Sequence, residues 1–411
     1  MDWYSIPEVN RMTDIKGERL QIIDGIRGLS LAGILMANML IFQYGIWGKE
    51  EIHLYSPSKM DSAAYTFTKI FIEGSFMPIF AFLFGFGMIK MKQSLDRKNL
   101  KYKRYFFRRF LFLLVVGFLH STYLWEGDIL FFYGLMGLFL LIFVGRKKKT
   151  LLLLGSILLL LFSLLGYGNQ QDTLADPVAI EAYVKKTMTV YSTGTYEEIK
   201  YHRNNVDPGH LPDYIYLFLL LFAPFFTAPM FLFGMYAAKN NWFREPHKKR
   251  QIYLKAAIFL TLSGILLKSA HHFFPQLSWT GIADLLGSSI LAFGYIFVFA
   301  FLYTRFENSF WLRGCNCVGK LSLSNYLLQT VICTPIFYGY GFGLFGKLGV
   351  LTGIFLSIGI FMLQIIGSYW YLKRFKYGPT EKLLRMWTYF SFLGTLIRKK
   401  SSVDKSTTYK A

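Results

Sequence analysis

Residues 19–44 read RLQIIDGIRGLSLAGILMANMLIFQY, and this stretch decides the class of the protein. The run from about Gly25 to Tyr44 is long enough to cross a bilayer, because about 20 apolar residues cover a hydrocarbon core of roughly 30 Å. It nevertheless carries Asp24, Arg27 and Asn38. A charged side chain near the bilayer centre costs about 2.5 to 3.5 kcal/mol on insertion scales. An acid and an arginine one turn apart at the head of a membrane helix therefore point to work. At about 100° per residue Asn38 returns to the face of Arg27, about 16 Å further along the axis. One polar stripe would then link one membrane surface to the interior, with the positive group suited to a phosphorylated donor. The alternative is a pair that seats the helix end, with Asn38 hydrogen-bonded to a neighbouring helix.

Nine further apolar blocks follow, near 66–89, 110–124, 129–145, 150–167, 213–237, 252–271, 282–303, 318–341 and 346–372. Hydrophobic residues make up 54% of the 411, mean hydropathy is +0.36, and no strand pattern or short repeat is present. The expectation is an all-α polytopic transmembrane bundle of about ten spans. No cleavable signal peptide is read before it, since Met1 to Arg19 is polar and leads straight into a full span. Pro78, Pro224, Pro229 and Pro335 fall inside apolar blocks, where membrane helices tolerate them as kinks.

The net charge of +21 follows the topology rather than a nucleic-acid surface. With both termini inside, 36 of the 45 Lys and Arg fall in cytoplasmic segments, as the positive-inside rule requires. Membrane lipid is the implied partner, with anionic inner-leaflet lipid attracted to the basic loops. Cys315, Cys317 and Cys333 are too few for a disulfide framework, and Cys315 and Cys317 are expected in a cytoplasmic loop as ordinary thiols. No metal site is read.

Residues 1–375 are thus expected to form the bundle, with an external segment over 168–212. There Asp176-Pro177 has the form of an N-cap followed by proline, which predicts a short helix to about Val190, either a solvated connector or a lid over a cavity. Residues 376–400 space Leu383, Leu384, Trp387, Phe390 and Leu393 as an interfacial amphipathic helix, and 401–411 are expected to be disordered.

A second polar group falls in the outer half: His53 in the first external loop, His120 near the end of the third span, and Asp128 after the Trp125-Glu126-Gly127 turn. A histidine near neutral pKa can move a proton and a carboxylate can orient it. Equally, His120 is satisfied as a buried histidine held by Asp128. His271 and His272 are expected to face water.

The run from Arg19 to Gly28, with Asn38 following, resembles the opening motif of the YeiB-like bacterial membrane proteins. Further matches are Phe76-Met-Pro-Ile-Phe80 into Leu83-Phe-Gly-Phe-Gly87, Gly127-Asp-Ile-Leu130, Tyr191-Ser-Thr-Gly194 through Tyr196 and Glu197 to Arg203, Gly319-Lys-Leu-Ser-Leu-Ser-Asn325-Tyr326, Gly339-Tyr-Gly-Phe-Gly343, and Tyr377-Gly-Pro-Thr-Glu381 with Arg385. More distantly the opening is similar to that of membrane acyltransferases, among them sugar O-acetyltransferases and heparan-alpha-glucosaminide N-acetyltransferase. In the former the position of Asn38 holds the catalytic histidine, a role this chain cannot carry there. The latter has asparagine there and its histidine in the first external loop, where His53 is the histidine in a comparable place. Arg27 matches the motif arginine on the side from which acyl-CoA enters.

The resemblance implies a transmembrane acyltransferase of the bacterial inner membrane, taking acyl-CoA from the cytoplasm and serving an extracytoplasmic acceptor. Asp24 would orient Arg27, Arg27 would bind donor phosphate, Asn38 would line the channel, and His53 or His120, helped by Asp128, would act as base. The alternative is a transporter or lipid-handling protein without chemistry. The sequence does not fix oligomeric state.

Overall fold

The computed structural model describes residues 20–168, 176–206, 208–209 and 213–394. Fifteen α-helices account for most of them, and no strand occurs among the described residues. In chain order these are α1 (Gln21–Gly48), α2 (Lys59–Phe67), α3 (Phe76–Asp96), α4 (Tyr102–Tyr123), α5 (Leu130–Leu140), α6 (Lys148–Leu164), α7 (Pro177–Thr193), α8 (Tyr196–Asn205), α9 (Asp213–Lys239), α10 (Arg250–Phe273), α11 (Thr280–Phe306), α12 (Phe310–Lys320), α13 (Ser322–Phe337), α14 (Val350–Arg374) and α15 (Pro379–Tyr389). The predicted tail 401–411 and the end of the 376–400 helix lie outside the described residues.

Among the described residues six segments are long and apolar enough to cross a membrane: α1, α2 with α3, α4, α10 with its preceding turn, α11 and α14. This is a multi-pass membrane architecture. The side chains of Ile258, Phe259, Leu262 and Leu266 on α10 are exposed along one face, an apolar stripe suited to lipid. Polar groups turn inward instead: Gln329, Gln364, Asn325 and Ser368 are buried and bonded to one another between α13 and α14.

Helix α1 runs through the centre, and the end at which it starts is called here the near end, the end at which it finishes the far end. Small residues bring its neighbours close. A Cβ on Gly28 would collide with the Cys315 carbonyl, and one on Gly319 with the Asp24 carbonyl, so α1 and α12 meet backbone to backbone. Gly85 on α3 and Gly234 on α9 make the same kind of contact with Phe231 and Phe82. This packing explains a departure from expectation. Cys315 and Cys317 are not in a loop but in the helix α12, because Gly314 and Gly319 let that segment coil against α14 and α1.

The second apolar block is also not one plain helix. A π-turn over Thr68–Ile72 and a turn at Gly74, φ +73°, separate α2 from α3. At this place Glu73 gathers Lys49 and Lys69, whose ammonium lies 2.8 Å from Glu73 Oε2 and 2.7 Å from Glu50 Oε2. The buried Lys268 Nζ donates to the Glu73 carbonyl and, at 3.1 Å, to Ser288 Oγ, with Asp284 Oδ1 3.7 Å away. Burial alone would raise the carboxyl of Glu50, yet Lys69 and Lys49 outweigh it and hold it down at about 2. With charges paired around it, the π-turn is tied to α1 and α10, and the cluster reads as structural.

Helix α7 forms as its cap foretells: Asp176 Oδ1 accepts the Val178 N–H at 3.0 Å, and the helix runs to Thr193, a little past Val190. α8 starts on a capping box of Thr195 and Glu198. The amphipathic C-terminal helix runs to Tyr389, where Phe390 turns to φ +49°. Glu381 on it accepts the Leu323 and Ser324 backbone N–H groups at 2.7 and 3.1 Å, capping α13 from another helix. His271 and His272 are half-buried at the end of α10 rather than facing water, with His271 Nδ1 3.2 Å from Thr280 Oγ1.

Candidate functional site

At the near end Arg27 Nη1 donates to Asp24 Oδ1 at 3.1 Å, with the Asp24 side chain 5% exposed and that of Arg27 24%. The three-residue spacing puts both on one side of α1, and Gly25 and Gly28 clear room for α12 beside them. Arg109 on α4 and Arg385 on α15 reach the same region, since Arg109 feels Arg27 and Arg385 as like charges. Asn38 is half-buried farther up α1.

The next level holds the arrangement of most chemical interest. His120 at the end of α4, Asp128 before α5 and Thr330 in mid-α13 form a chain: His120 Nδ1 is 2.9 Å from Asp128 Oδ1, and His120 Nε2 is 3.1 Å from Thr330 Oγ1. All three are buried. The Asp128 carboxylate can only accept here, so in neutral His120 the Nδ1 carries the proton and the Nε2 lone pair receives the Thr330 hydroxyl. Asp128 is itself held by the Phe131 N–H at 2.9 Å, and the Tyr326 hydroxyl takes the Ile129 N–H at 3.1 Å. A histidine whose ring and tautomer are fixed on both sides can exchange a proton without reorganising its surroundings. Gln329, the neighbour of Thr330, reaches the Leu31 carbonyl at 3.4 Å, which places this chain beside the middle of α1.

Two residues from Asp128 the same turn presents Glu126 to a different space. A cavity of about 240 Å³ at the far end is walled by Ile46, Trp47, Glu126, Tyr183 and Arg203, with Val206 and Pro208 at its side. The kink of α1 at Gly45, φ +79°, releases the Ile46 N–H toward the Glu126 carboxylate. Tyr191 donates to Glu126 Oε2 at 2.6 Å. Burial pushes the Glu126 carboxyl above its usual range, and the Tyr191 hydroxyl and Arg203 only partly offset this. Arg203 spends two donors on the α4 end, Nη2 to the Thr122 carbonyl at 2.6 Å and Nη1 to that of Leu124 at 3.1 Å. Arg203 Nε in this wall is buried without a hydrogen-bond partner among the described residues, as are His202 Nδ1, Trp125 Nε1 and Tyr338 Oη outside it. Buried polar atoms are rarely left so.

His53 is not brought to the pair. Its side chain is 72% exposed at the far end, 3.4 Å from Glu51, so the 3₁₀ turn over Ile52–Tyr55 carries it to the surface. The structure therefore unites His120 with Asp128 and leaves His53 outside. Thr330, Tyr191 and Glu126 had no assigned part in the sequence reading. Tyr191 and Arg203 bound one of the quoted motifs, a signal that stood in the sequence without a role. Among the described residues no group of three His, Cys, Asp or Glu side chains meets as a metal site would require.

The chain is 32% identical over 403 residues to the Bacillus subtilis protein named Uncharacterized protein YxaH, covering 95% of this chain and 98% of that one. It belongs to the YeiB-like family. The Escherichia coli protein named Uncharacterized protein YeiB is 26% identical over 396 residues, covering 90% of this chain and 96% of its own. An uncharacterized 39.9 kDa protein from the amylase 3' region of Bacillus acidopullulyticus is 27% identical over 388 residues, 93% and 98% of the two chains. Residues 237–391 match the family model described as Protein of unknown function (DUF418). That part of the family's length holds α10 to α15, hence Thr330 and the Glu381 cap. No solved structure matches the chain.

Proposed function

We propose that this member of the YeiB-like family is a transmembrane acyltransferase that takes an acyl group from cytoplasmic acyl-CoA and passes it to an acceptor hydroxyl or amine at the outer face. The observation that carries the reading is the buried chain Asp128–His120–Thr330, lying between the Asp24–Arg27 pair at one end and the Glu126 cavity at the other. A proton-transferring histidine fixed by a carboxylate is what an acyl transfer to a weak nucleophile requires.

In this reading the near end is cytoplasmic and the far end outside, in the inner membrane of a bacterium. The four further segments α5, α6, α9 and α12 with α13 complete ten crossings with both termini inside. The distribution of basic residues supports that orientation. Arg27, oriented by Asp24, binds donor phosphate, and Asn38 lines the path. His120 takes the acceptor's proton as its oxygen or nitrogen attacks the thioester carbonyl; the carbon–sulfur bond breaks, and the proton passes to the departing CoA thiolate. Thr330 keeps Nε2 occupied until an acceptor replaces it.

The test is transfer from radiolabelled acetyl-CoA in proteoliposomes loaded with a membrane-extract acceptor pool. Wild type is expected to label an acceptor, and His120→Ala and Asp128→Ala are expected not to while still binding donor. A wild type that moves an unmodified solute and shows no affinity for acetyl-CoA overturns the reading in favour of transport. Cysteine labelling fixes the orientation: positions 93–102 are expected to react from inside and 176–206 from outside.

A further inference from the structure

We propose that the far-end cavity binds a neutral polyhydroxylated group of about monosaccharide size, held between Glu126 and Arg203 against the rings of Trp47 and Tyr183. Calling that group the acceptor rests on the transfer reading above; the binding itself does not.

Size comes first. A liquid water takes up about 30 Å³, so 240 Å³ is room for several waters or one ring-sized molecule. Charge narrows the class. Glu126 and Arg203 share the cavity wall without forming an ion pair with each other, while each is secured by other groups. A cationic ligand would gain from Glu126 and be repelled by Arg203; an anion would meet the reverse. A neutral ligand with neighbouring hydroxyls escapes both penalties, because one hydroxyl can donate to the carboxylate while the next accepts from Arg203.

One donor left over fits the same ligand: Arg203, in the cavity wall, keeps a buried Nε with no partner among the described residues. His202 is held in place, with Nε2 2.8 Å from Thr187 Oγ1 and its ring stacked 5.0 Å from Tyr183. The wall is therefore preorganised rather than loose. Tyr183 and Trp47 supply flat apolar surface of the kind on which the C–H face of a sugar ring can lie, at low entropic cost because aromatic side chains have few rotatable bonds.

The location favours a ligand at a membrane surface. The cavity lies where α1 ends and α7 and α8 fold over it, and Ile46 beside it is 42% exposed. The polyol can reach it as a free sugar or as the headgroup of a glycolipid.

The experiment uses the full-length protein in nanodiscs without any acyl donor, and reads binding by calorimetry. Four probes are titrated: glucose, nanodisc-embedded glucosyl diacylglycerol, and as charged counterparts of similar size glutamate and choline. Binding of either glucosyl probe with none of the charged pair supports the proposal, and the lipid arm alone identifies a headgroup. Glu126→Gln keeps the shape and an acceptor for Tyr191 yet removes the charge, and is expected to weaken the glucosyl probe about tenfold. Trp47→Ala, which removes a wall and no buried polar bond, is expected to weaken it as well. Binding of glutamate or choline in preference, silence of both glucosyl probes, or undiminished affinity in both variants overturns the proposal. Because no donor is present, glucosyl binding that survives beside a failed transfer assay removes the transferase reading alone.

Discussion

Asp128 holds His120 with one carboxylate oxygen, Oδ1 at 2.9 Å from Nδ1, and the first turn of α5 with the other, Oδ2 at 2.9 Å from the Phe131 nitrogen. One side chain thus fixes the orientation of the histidine and the start of a helix together. Asp128→Ala should therefore cost about 3 kcal/mol or more, leaving a buried ring nitrogen and a helix N–H unpaired. Thr330→Val keeps the shape and should cost only about 1 to 3 kcal/mol. Denaturant unfolding in detergent orders the two; equal losses would show that Asp128 has only one of the two tasks.

Gly319 lies against the Asp24 carbonyl with no room for a methyl group. Gly319→Ala is expected to push α12 from α1 and destabilise the protein by about 1 to 3 kcal/mol, the range for overpacking. Gly359 on α14 has no neighbour within reach of an added Cβ, so Gly359→Ala serves as the control. If both alanine variants melt at the wild-type temperature, the backbone contact is not a packing constraint.

Glu126 gives the molecule a pH dependence of definite sign. Its folded-state carboxyl titrates above the reference value of 4.5 because burial disfavours the charge. The unfolded chain ionises first as pH rises, so the stability tied to the protonated form is complete below 4.5 and is lost as pH climbs through the folded value. Glu126→Gln should gain on wild type over that interval and hold a constant lead above it. A wild-type minus variant difference that is flat with pH would contradict the burial of this group.

His202 acts in the opposite direction. Burial first, and then Lys186, lower its pKa from 6.5, so the folded protein prefers the neutral ring. The contribution is complete above 6.5 and is lost as pH falls through the depressed value. Amide exchange in α7 and α8 should accelerate on acidification, and His202→Gln should remove that response. Unchanged exchange in wild type across this interval would mean that the ring is solvated.

How much of this could be read in the residues follows from how local each signal is. Six of the expected spans, the Asp24–Arg27 pair and the Asp176 cap depend on composition or on residues two or three apart, and they were legible. The pairing of His120 with Asp128 was legible for the same reason, since a short turn separates them. Thr330 was not, because 210 residues lie between it and His120 and a threonine in an apolar helix looks like any other. His53 misled because it stood in the right loop; a 3₁₀ turn, invisible to hydropathy, faces it outward. Cys315 and Cys317 were placed in a loop because Gly-Cys-Asn-Cys breaks the apolar run, whereas tight contact with α1 makes glycine an asset to a helix there. The cavity needed the kink at Gly45, the turn at Glu126 and a distant Arg203 at once, and no single window of sequence holds all three.

The Glu381 clasp on α13 sets an order of events during synthesis. The amides that it satisfies belong to Leu323 and Ser324, 58 and 57 residues upstream, so α13 emerges and inserts before its own start can be completed. Until the last helix is made, the segment bearing Thr330 has bare donors at its membrane-surface end. A chain that ends before Glu381 is therefore distinguishable at that spot from one that carries it, and the docking of α15 is the step that completes the start of α13.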